Sequence, residues 1–409
     1  MAKTVFHPRA LQPLISEALR DTPVVFLGGP RQSGKSTLAQ RLAGDAEYVT
    51  LDDAVALAAA TADPDGFIAG LPRKAVIDEA QRVPDLFRAI KANVDRDRRP
   101  GHYLLTGSAD VLALPRVSES LAGRLQLLTL WPFAEAELER SRGVVDVLFG
   151  AGDLPPARDS ARHAVAARIV RGGFPEVIER RADRRADWFD SYVATITQRD
   201  IRDITDISGL TELPRLLRLL AARVSSLMNV AELSRSSAIP QSTLTRYLSL
   251  LEATYLVRRI PAWSGNLGKR LLKHPKILLT DTGLASHLQG VDEARLGSDE
   301  HLAGPLFENF VAMELLKQIS WSRMRPSLYH FRSVSGDEVD IVLERRDGRV
   351  VAVEVKASAN VGASDFRGMR VLAGALRGKF VRGVVLYTGA STVPFGANLH
   401  AIPISTLWR

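Results

Sequence analysis

The chain has 409 residues, of which 46% are hydrophobic and 24% are charged, a composition typical of a globular protein with roughly two to four domains. No apolar run approaches the roughly 18 residues that a membrane-spanning helix needs, and the opening stretch MAKTVFHPRALQPL lacks the apolar centre of a signal peptide. The absence of cysteine excludes disulfides, zinc–cysteine sites and thiol nucleophiles. We therefore expect a cytoplasmic protein without a membrane partner, in which any bound metal has oxygen ligands.

The formal net charge of +8 is concentrated in the middle of the chain. Residues 158–275 contain 20 lysines and arginines against 12 acidic residues, whereas the rest of the chain contains 34 of each. A local basic excess favours a partner with a phosphate backbone, such as DNA. The alternative is an arginine-rich composition that places Arg on every solvated helix face.

The stretch VVFLGGPRQSGKSTLAQRL, residues 24–42, has the pattern of a nucleotide-binding loop. A continuous apolar run, Val24–Leu27, predicts a buried parallel strand, the next residues match G-x-x-x-x-G-K-[ST], and a helical pattern follows. In this motif the glycines let backbone N–H groups surround the phosphates, Lys35 reaches the β- and γ-phosphates, and Ser36 ligates Mg²⁺. The residues predicted to bind ATP are Gly29, Pro30, Arg31, Gln32, Ser33, Gly34, Lys35, Ser36 and Thr37.

A second part of the same predicted site is the stretch RKAVIDEAQRVPDLF, residues 73–87. Its short apolar strand, Ala75–Ile77, ends in two acidic residues. Asp78 is predicted to hold Mg²⁺, and Glu79 is predicted to orient or deprotonate the attacking water.

The stretch HYLLTGSADVL, residues 102–112, predicts another strand with a polar end. Thr106 and Ser108 at this end would point toward the γ-phosphate as a sensor. The alternative is a simple turn.

Together these stretches resemble the AAA-type P-loop ATPases, and in particular a bacterial and archaeal family that joins such a module to a C-terminal domain of unknown function. The resemblance covers nearly the whole chain. It is carried by the segments GGPRQSGKST, VIDEAQ, LLTGS, SESLAGRLQLLTLWPFAEAEL, GGFPEVIE, YVATITQRDI, LLTDTGLASHL and LFENFVAMELL. It implies hydrolysis of ATP with Mg²⁺, in agreement with the two motifs.

Arg124, in the segment LAGR, lies where the resemblance implies an arginine finger or sensor for the γ-phosphate. Such a residue acts either in cis or from a neighbouring subunit, and the second arrangement requires an oligomer. The alternative is an ordinary surface arginine.

The stretch GAGDLPPARDS, residues 150–160, contains two glycines and two prolines, and we place the end of the ATPase core at about residue 150. The stretch NVAELSRSSAIPQSTLTRYLSLLEATYLVRRIPAW, residues 229–263, predicts a helix, a turn, a second helix and a β-wing, and it resembles a winged helix-turn-helix. In a DNA-binding version, Gln241, Thr243 and Arg246 of the second helix would lie near base edges in the major groove. Winged helices also pack as protein lids on ATPases, which is the alternative.

The stretch GDEVDIVLERRDGRVVAVEVKAS, residues 336–358, predicts a β-hairpin, because an Asp-Gly pair separates two apolar runs. The hairpin would place Asp340 on its first strand. Glu354 and Lys356 are two residues apart and would share one face of the second strand. Just upstream, GPLFENFVAMELLKQI, residues 304–319, predicts an amphipathic helix with Glu308 in its first turn.

A helix Glu, a strand Asp and a strand Glu-x-Lys in this order resemble the core of the PD-(D/E)XK nucleases. The resemblance implies that Asp340 and Glu354 bind one or two Mg²⁺ ions, that Glu308 completes the metal shell and that Lys356 positions the water. Nuclease-like cores also serve as inert interaction domains. A further alternative is a surface strand whose cross-strand charge pair contributes at most about 1 kcal/mol.

The predicted fold class is α/β. We expect a P-loop parallel-sheet ATPase domain at 1–150, a helical lid or linker at 151–225, a winged helix-turn-helix at 226–290 and a mixed α/β nuclease-like domain at 291–409. The predicted function is a Mg-ATP-hydrolysing AAA-type ATPase whose nucleotide cycle controls the winged-helix region and the nuclease-like domain on DNA. The alternatives are an ATP-gated DNA-binding or protein-interaction switch with an inert C-terminal domain, and a signalling ATPase without a nucleic-acid partner.

Overall fold

The computed structural model describes residues 7–110, 123–150, 152, 154, 161–197, 210–266, 270, 273–376 and 378–409. The chain forms two compact units. The first comprises Met1–Pro132, Thr195–Ser208 and Ser249–Leu256, and the second comprises Phe133–Ala194, Gly209–Leu248 and Val257–Arg409. In the described ranges, no helix combines the length and the apolar character that a membrane crossing requires.

The first unit is built on a parallel sheet. Its strands are β1 (Val24–Gly28), β2 (Glu47–Thr50), β3 (Ala75–Asp78), β4 (Tyr103–Gly107) and β5 (Leu125–Thr129). Its helices are α1 (Gln12–Asp21), α2 (Lys35–Ala43), α3 (Ala54–Ala62), α4 (Pro64–Gly70) and α5 (Leu86–Arg96), with a 3₁₀ turn at Ala80–Arg82. Among the described residues the strands pair in the order β2-β3-β4-β1-β5, and every pairing is parallel. The predicted buried parallel strand at Val24–Leu27 is therefore confirmed.

Side chains of β1 alternate between two hydrophobic cores. Val24 and Phe26 pack in a cluster with residues of α5 on one face of the sheet, whereas Val25 and Leu27 pack with residues of α1 and α2 on the other. A strand that is covered on both faces has a continuous apolar run rather than an alternating one. The carboxyl ends of β1, β3 and β4 lie at one edge of this sheet, where parallel α/β folds place their ligands.

The remaining elements run from residue 135 to the C-terminal end of the chain. The helices are α6 (Glu135–Leu138), α7 (Val145–Leu148), α8 (Arg162–Arg171), α9 (Ala182–Thr195), α10 (Leu213–Ala221), α11 (Val230–Ser237), α12 (Gln241–Ala253), α13 (Thr282–Gln289), α14 (Glu293–Ser298), α15 (Glu300–Ile319) and α16 (Arg367–Ala375). The strands are β6 (Val257–Ile260), β7 (Lys276–Leu279), β8 (Ser327–Arg332), β9 (Glu338–Glu344), β10 (Val350–Lys356), β11 (Phe380–Tyr387), β12 (Val393–Gly396) and β13 (Leu399–Pro403). Further 3₁₀ turns lie at Leu210–Glu212, Ala363–Phe366 and Ile404–Trp408.

The C-terminal strands form a mixed sheet, whose order in the described residues is β12-β13-β11-β10-β9-β8. Strands β9 and β10 pair antiparallel, with Val353 opposite Ile341, so the predicted hairpin is confirmed. Its turn requires a left-handed residue, and Gly348 supplies it with φ 79°. Val350 and Ala352 of β10 belong to a core that includes residues of α16, and α15 also packs on β10.

Helix α15 corrects one expectation. It begins at Glu300, because the Asp299 side chain accepts hydrogen bonds from the backbone N–H groups of His301 and Leu302 and caps the helix there. Glu308 therefore lies in the third turn and not in the first.

The predicted amphipathic character of α15 is also wrong, because polar side chains of this helix are buried along with its apolar ones. Asn309 accepts from the Leu279 backbone N–H (3.0 Å) and donates to the Leu279 carbonyl (3.1 Å). Glu314 accepts from the Glu135 backbone N–H (2.8 Å) and from Lys317 Nζ (2.9 Å). A polar face can be buried when each group finds a hydrogen-bond partner. Here the Leu279 and Glu135 backbone groups come from distant parts of the chain, whereas Lys317 lies on the same helix.

Candidate functional site

The predicted phosphate-binding loop joins the end of β1 to the start of α2. Gly29 has φ 152° and Gly34 has φ 95°, and the intervening Gln32 is also left-handed at φ 60°. A Cβ atom on Gly29 would lie 2.2 Å from the Leu130 carbonyl oxygen, so only glycine fits there. The loop is therefore a tight turn with closely packed backbone, as the motif requires.

Buried polar groups surround the inside of this loop. Lys35 is 4% exposed, and its Nζ donates to the carbonyl oxygens of Gly29 (3.0 Å) and Pro30 (2.9 Å). The Ser33 side chain is fully buried, and its Oγ has no hydrogen-bond partner among the described residues. A buried hydroxyl without a partner beside a buried ammonium suits a polar, anionic ligand such as phosphate. Of the other predicted loop residues, Gln32 and Thr37 are exposed and Arg31 is half-buried.

Asp78 lies at the end of β3 and accepts three side-chain hydrogen bonds. Ser36 Oγ donates to Oδ1 (3.0 Å), Thr106 Oγ1 also donates to Oδ1, and Tyr48 donates to Oδ2 (2.8 Å). Burial and the Asp78 carboxylate raise the pKa of Tyr48, so this phenol stays protonated and remains a donor. The structure thus brings together Ser36 and Asp78, the two residues predicted to hold Mg²⁺. Their hydroxyl and carboxylate oxygens are ligands of the kind that Mg²⁺ prefers, so the residues fit this ion.

Glu79 follows directly, in a left-handed conformation with φ 58° that is unusual for a residue other than glycine. Its Oε2 accepts hydrogen bonds from Gln81 Nε2 (2.5 Å) and Ser108 Oγ (3.2 Å), and its backbone N–H donates to Thr106 Oγ1 (3.2 Å). Thr106 and Ser108 therefore contact the two acids. Strained backbone held by several contacts is common at functional sites.

Two residues that contact this nucleotide-binding site were not predicted from the sequence. Gln81 is one, and its position two residues after Glu79 is a signal that could have identified it. Arg9 is the other: it is 7% exposed and donates to the carbonyl oxygens of Ser33 (2.8 Å) and Trp131 (2.6 Å). It ties the loop to the segment after β5, and nothing in the sequence near Arg9 indicates this contact.

Arg124 is not brought to the loop within this unit. It precedes β5, whose first residue, Leu125, pairs with Val24 at the start of β1, whereas the loop follows the end of β1. Its Nε forms an ion pair with Asp95 Oδ1 (2.5 Å). The parallel register therefore places Arg124 at the opposite end of the strands, and this geometry gives the cis role no support. A role from a neighbouring subunit stays a prediction.

The second unit contains another group of acidic residues, which we call the carboxylate cluster: Glu308 of α15, Asp340 of β9 and Glu354 of β10. The hairpin brings the last two together, because Glu354 Oε2 accepts from the Asp340 backbone N–H (3.4 Å) and Asp340 Oδ2 accepts from the Val355 backbone N–H (3.0 Å). Lys356 Nζ lies 3.5 Å from Glu354 Oε1. The four residues predicted from the nuclease resemblance thus lie in one region.

Lys276 of β7 was not predicted, and it lies among these carboxylates. Its Nζ is 2.6 Å from Glu308 Oε1 and 3.3 Å from Asp340 Oδ1, and its side chain is 8% exposed. Burial acts to lower the pKa of Lys276, but the charges of Asp340 and Glu308 outweigh this effect and raise the pKa above its ordinary value. The side chain is therefore an ammonium ion.

Two carboxylates of the cluster, Glu308 and Glu354, are destabilised as anions. Burial raises the pKa of Glu308 well above its ordinary value, and the charge of Asp340 adds to this effect. Burial and the charge of Asp340 also raise the pKa of Glu354, to about 8. Crowded acids of this kind need a nearby cation to remain ionised.

The carboxylates have the chemistry of magnesium ligands, but the Lys276 ammonium group occupies the space between Glu308 and Asp340. Within the described ranges, no group of three or more His, Cys, Asp or Glu side chains is arranged to hold a metal ion. As placed, the cluster does not fit Mg²⁺.

The segment predicted as a winged helix has the expected order of elements. Helix α11, capped by the Asn229 side chain, is followed by a short turn, α12 and the antiparallel pair β6–β7. On α12, Gln241 and Arg246 are exposed and Thr243 is half-buried, whereas Leu244 is buried. Gln241 and Arg246 are therefore accessible to a partner, and Thr243 is partly accessible. Contact of these three residues with DNA stays a prediction.

Three known families match successive parts of the chain. Residues 21–139 match the family described as AAA domain, residues 162–295 match Domain of unknown function (DUF8612), and residues 303–407 match Domain of unknown function (DUF4143). Among solved structures, the Walker-type ATPase paby2304 of Pyrococcus abyssi is 14% identical, with a TM-score of 0.44 over 70% of this chain and 97% of that chain.

Two curated proteins are similar along almost the whole sequence. They are the uncharacterized protein Rv2008c of Mycobacterium tuberculosis and the uncharacterized protein Mb2031c of Mycobacterium bovis. Each is 32% identical over 395 residues, which cover 95% of this chain and 82% of the relative. The chain therefore belongs, with these mycobacterial proteins, to a family that joins an AAA-type P-loop ATPase domain to a C-terminal domain of unknown function.

Proposed function

We propose that the protein binds and hydrolyses Mg-ATP. We further propose that its nucleotide cycle controls how the winged-helix region and the nuclease-like C-terminal domain act on DNA. The observation that supports this proposal best is the convergence of Ser36, Asp78 and Glu79 beside Lys35 at one edge of the parallel sheet. This constellation has the parts that phosphoryl transfer needs, namely a cation for the phosphates, ligands for Mg²⁺ and a base for water.

Each residue has a separate task in this proposal. Lys35 compensates the charge of the β- and γ-phosphates, and Ser36 and Asp78 hold the metal ion. When bound, Mg²⁺ neutralises charge that develops on the phosphate oxygens. Glu79 accepts a proton from the attacking water, and the hydrogen bonds from Gln81 and Ser108 hold its carboxylate in place.

The test is phosphate release by the purified chain with ATP, measured with Mg²⁺ and with excess EDTA, and with and without duplex DNA at physiological salt. Turnover that requires Mg²⁺ supports the ATPase part of the proposal, and stimulation by DNA supports the nucleic-acid part. Mg²⁺-dependent turnover that DNA leaves unchanged would instead support a signalling ATPase.

Arg9→Ala is expected to weaken ATP binding about tenfold, because it removes two charge-assisted hydrogen bonds that fix the phosphate-binding loop. Nucleotide affinity can be measured by titration with a fluorescent ATP analogue. Arg20→Ala is the matched control, since Arg20 is an exposed arginine at the nearby helix α1. Unchanged affinity in Arg9→Ala would show that the loop holds its shape without this contact.

Arg246→Ala is expected to weaken binding of duplex DNA about tenfold, because an exposed arginine on α12 would lose its contact with a base edge or a phosphate. If the contact is to a phosphate, the slope of log K against log salt falls by about 1. Arg218→Ala removes an exposed arginine from α10, outside the helix-turn-helix, and serves as the control. Equal affinities in the two variants would argue against α12 as the DNA-binding helix.

A second candidate function is an ATP-gated DNA-binding or protein-interaction switch whose C-terminal domain is inert. The position of Lys276 inside the carboxylate cluster favours it, because this arrangement does not fit the metal ions of a nuclease. Plasmid and single-stranded DNA can be incubated with Mg²⁺ or Mn²⁺, with and without ATP. Cleavage that Asp340→Ala and Lys356→Ala both abolish supports the first candidate, whereas intact ATP turnover without cleavage supports the second.

A further inference from the structure

We propose that Lys276 is the resident cation of the carboxylate cluster, and that it excludes divalent metal ions from this cluster for as long as β7 holds it there. This inference concerns the second unit alone, so it goes beyond the proposed function and holds whether or not the first unit hydrolyses ATP.

The backbone of Lys276 is held on both sides. Lys276 is the first residue of β7, where it pairs antiparallel with Ile260 of β6, and it also forms a bridge with Leu227. The neighbouring Pro275 carbonyl accepts a hydrogen bond from the Met228 backbone N–H (2.8 Å). The strand pairing therefore fixes where the lysine side chain starts and directs it toward Glu308 and Asp340.

The ammonium group occupies the place that a metal ion would need. Its distances of 2.6 Å to Glu308 Oε1 and 3.3 Å to Asp340 Oδ1 put it between two carboxylates that come from different elements. A Mg²⁺ ion bound to both oxygens would lie about 2 Å from each, and therefore almost at the position of Nζ. Since like charges a few ångströms apart repel strongly in a partly buried site, lysine and metal ion exclude each other.

Lys356 has a different environment. Its side chain is 33% exposed and its Nζ lies 3.5 Å from Glu354 Oε1 and 3.4 Å from Asp365 Oδ1, at the outer side of the cluster. The lysine that the nuclease resemblance predicts is therefore not the one that blocks the metal position. Of Lys276 and Lys356, Lys276 is the more buried, and it compensates the charge of Glu308 and Asp340.

The experiment is a titration with Mn²⁺ alone, without nucleotide, in which electron paramagnetic resonance measures the concentration of the free ion. Wild type and Asp340→Asn are expected to bind Mn²⁺ equally, because Lys276 already compensates Asp340. Lys276→Met keeps most of the length of the side chain and removes its charge. This variant is expected to bind Mn²⁺ about tenfold or more tightly than wild type does, because the cluster becomes available to the ion. The double variant Lys276→Met, Asp340→Asn is expected to lose this tighter binding.

Lys273→Met is the matched control, because it removes an exposed lysine three residues away and leaves the cluster untouched. Its Mn²⁺ binding should equal that of wild type. If wild type binds Mn²⁺ at a site that Asp340→Asn abolishes, the proposal is overturned. This comparison of wild type with Asp340→Asn does not require the Lys276→Met variant to fold. A folded Lys276→Met protein that gains no Asp340-dependent site would overturn it as well.

Discussion

Lys35→Ala is expected to lower ATP turnover about 100-fold or more while the chain remains folded. Lys35 is buried at the phosphate-binding loop, where its ammonium group contacts the carbonyl oxygens of Gly29 and Pro30. Its removal takes away the charge that compensates the β- and γ-phosphates, and single preorganised charges or donors in such sites contribute on the order of 10²–10³ to the rate. The loss of core packing is small, because the charged end of the side chain faces the loop and not a hydrophobic core.

Steady-state phosphate release measures the effect, and a thermal melt shows whether the variant is folded. Lys74→Ala is the matched control, since Lys74 is an exposed lysine just before β3 of the same unit. Its turnover should equal that of wild type. A folded Lys35→Ala protein with wild-type turnover would remove the loop from the proposed mechanism.

Glu79→Gln is expected to retain ATP binding and to hydrolyse ATP about 10²–10⁴ times more slowly, the range that general acid–base catalysis contributes. The substitution keeps the size of the side chain but removes its ability to accept a proton. Glutamine tolerates the left-handed φ of 58° no worse than glutamate, so the backbone should not move. The hydrogen bond from Ser108 can still be accepted by the amide oxygen.

Binding of a fluorescent ATP analogue and phosphate release are measured on the same sample. Glu47→Gln serves as the control, because Glu47 is exposed at the start of β2, far from the carboxyl ends of the strands. If Glu79→Gln lowers binding and hydrolysis to the same extent, Glu79 has a structural role and a different residue activates the water.

The parts of the structure that could be predicted are those that depend on neighbouring residues. The strand Val24–Leu27 is a continuous apolar run because both of its faces are covered, and the loop after it is defined by glycines at fixed spacing. The C-terminal hairpin follows from an Asp-Gly pair between apolar runs, and Gly348 takes the left-handed conformation that such a turn needs.

The parts that could not be predicted depend on partners that are distant in the sequence. Arg9 contacts Trp131, and Lys276 contacts Asp340, across separations that no local pattern records. The position of Arg124 depends on the register of β5 against β1, which a short motif does not specify. Helix α15 looks amphipathic in sequence, yet its polar residues are buried because distant backbone and side-chain groups satisfy them.

The amide side chain of Asn309 protects the open edge of β7 from pairing with a strand of another chain. Two-stranded sheets have open edges whose N–H and C=O groups can pair with strands of other chains. The Asn309 amide offers one acceptor and one donor to Leu279, as a neighbouring strand would. The Ser225 backbone N–H donates to the Ile277 carbonyl, and the Ile277 backbone N–H donates to the Ser226 carbonyl. The outer edge of β7 is thus already paired at Ile277 and Leu279, and these two residues cannot nucleate strand addition from another molecule.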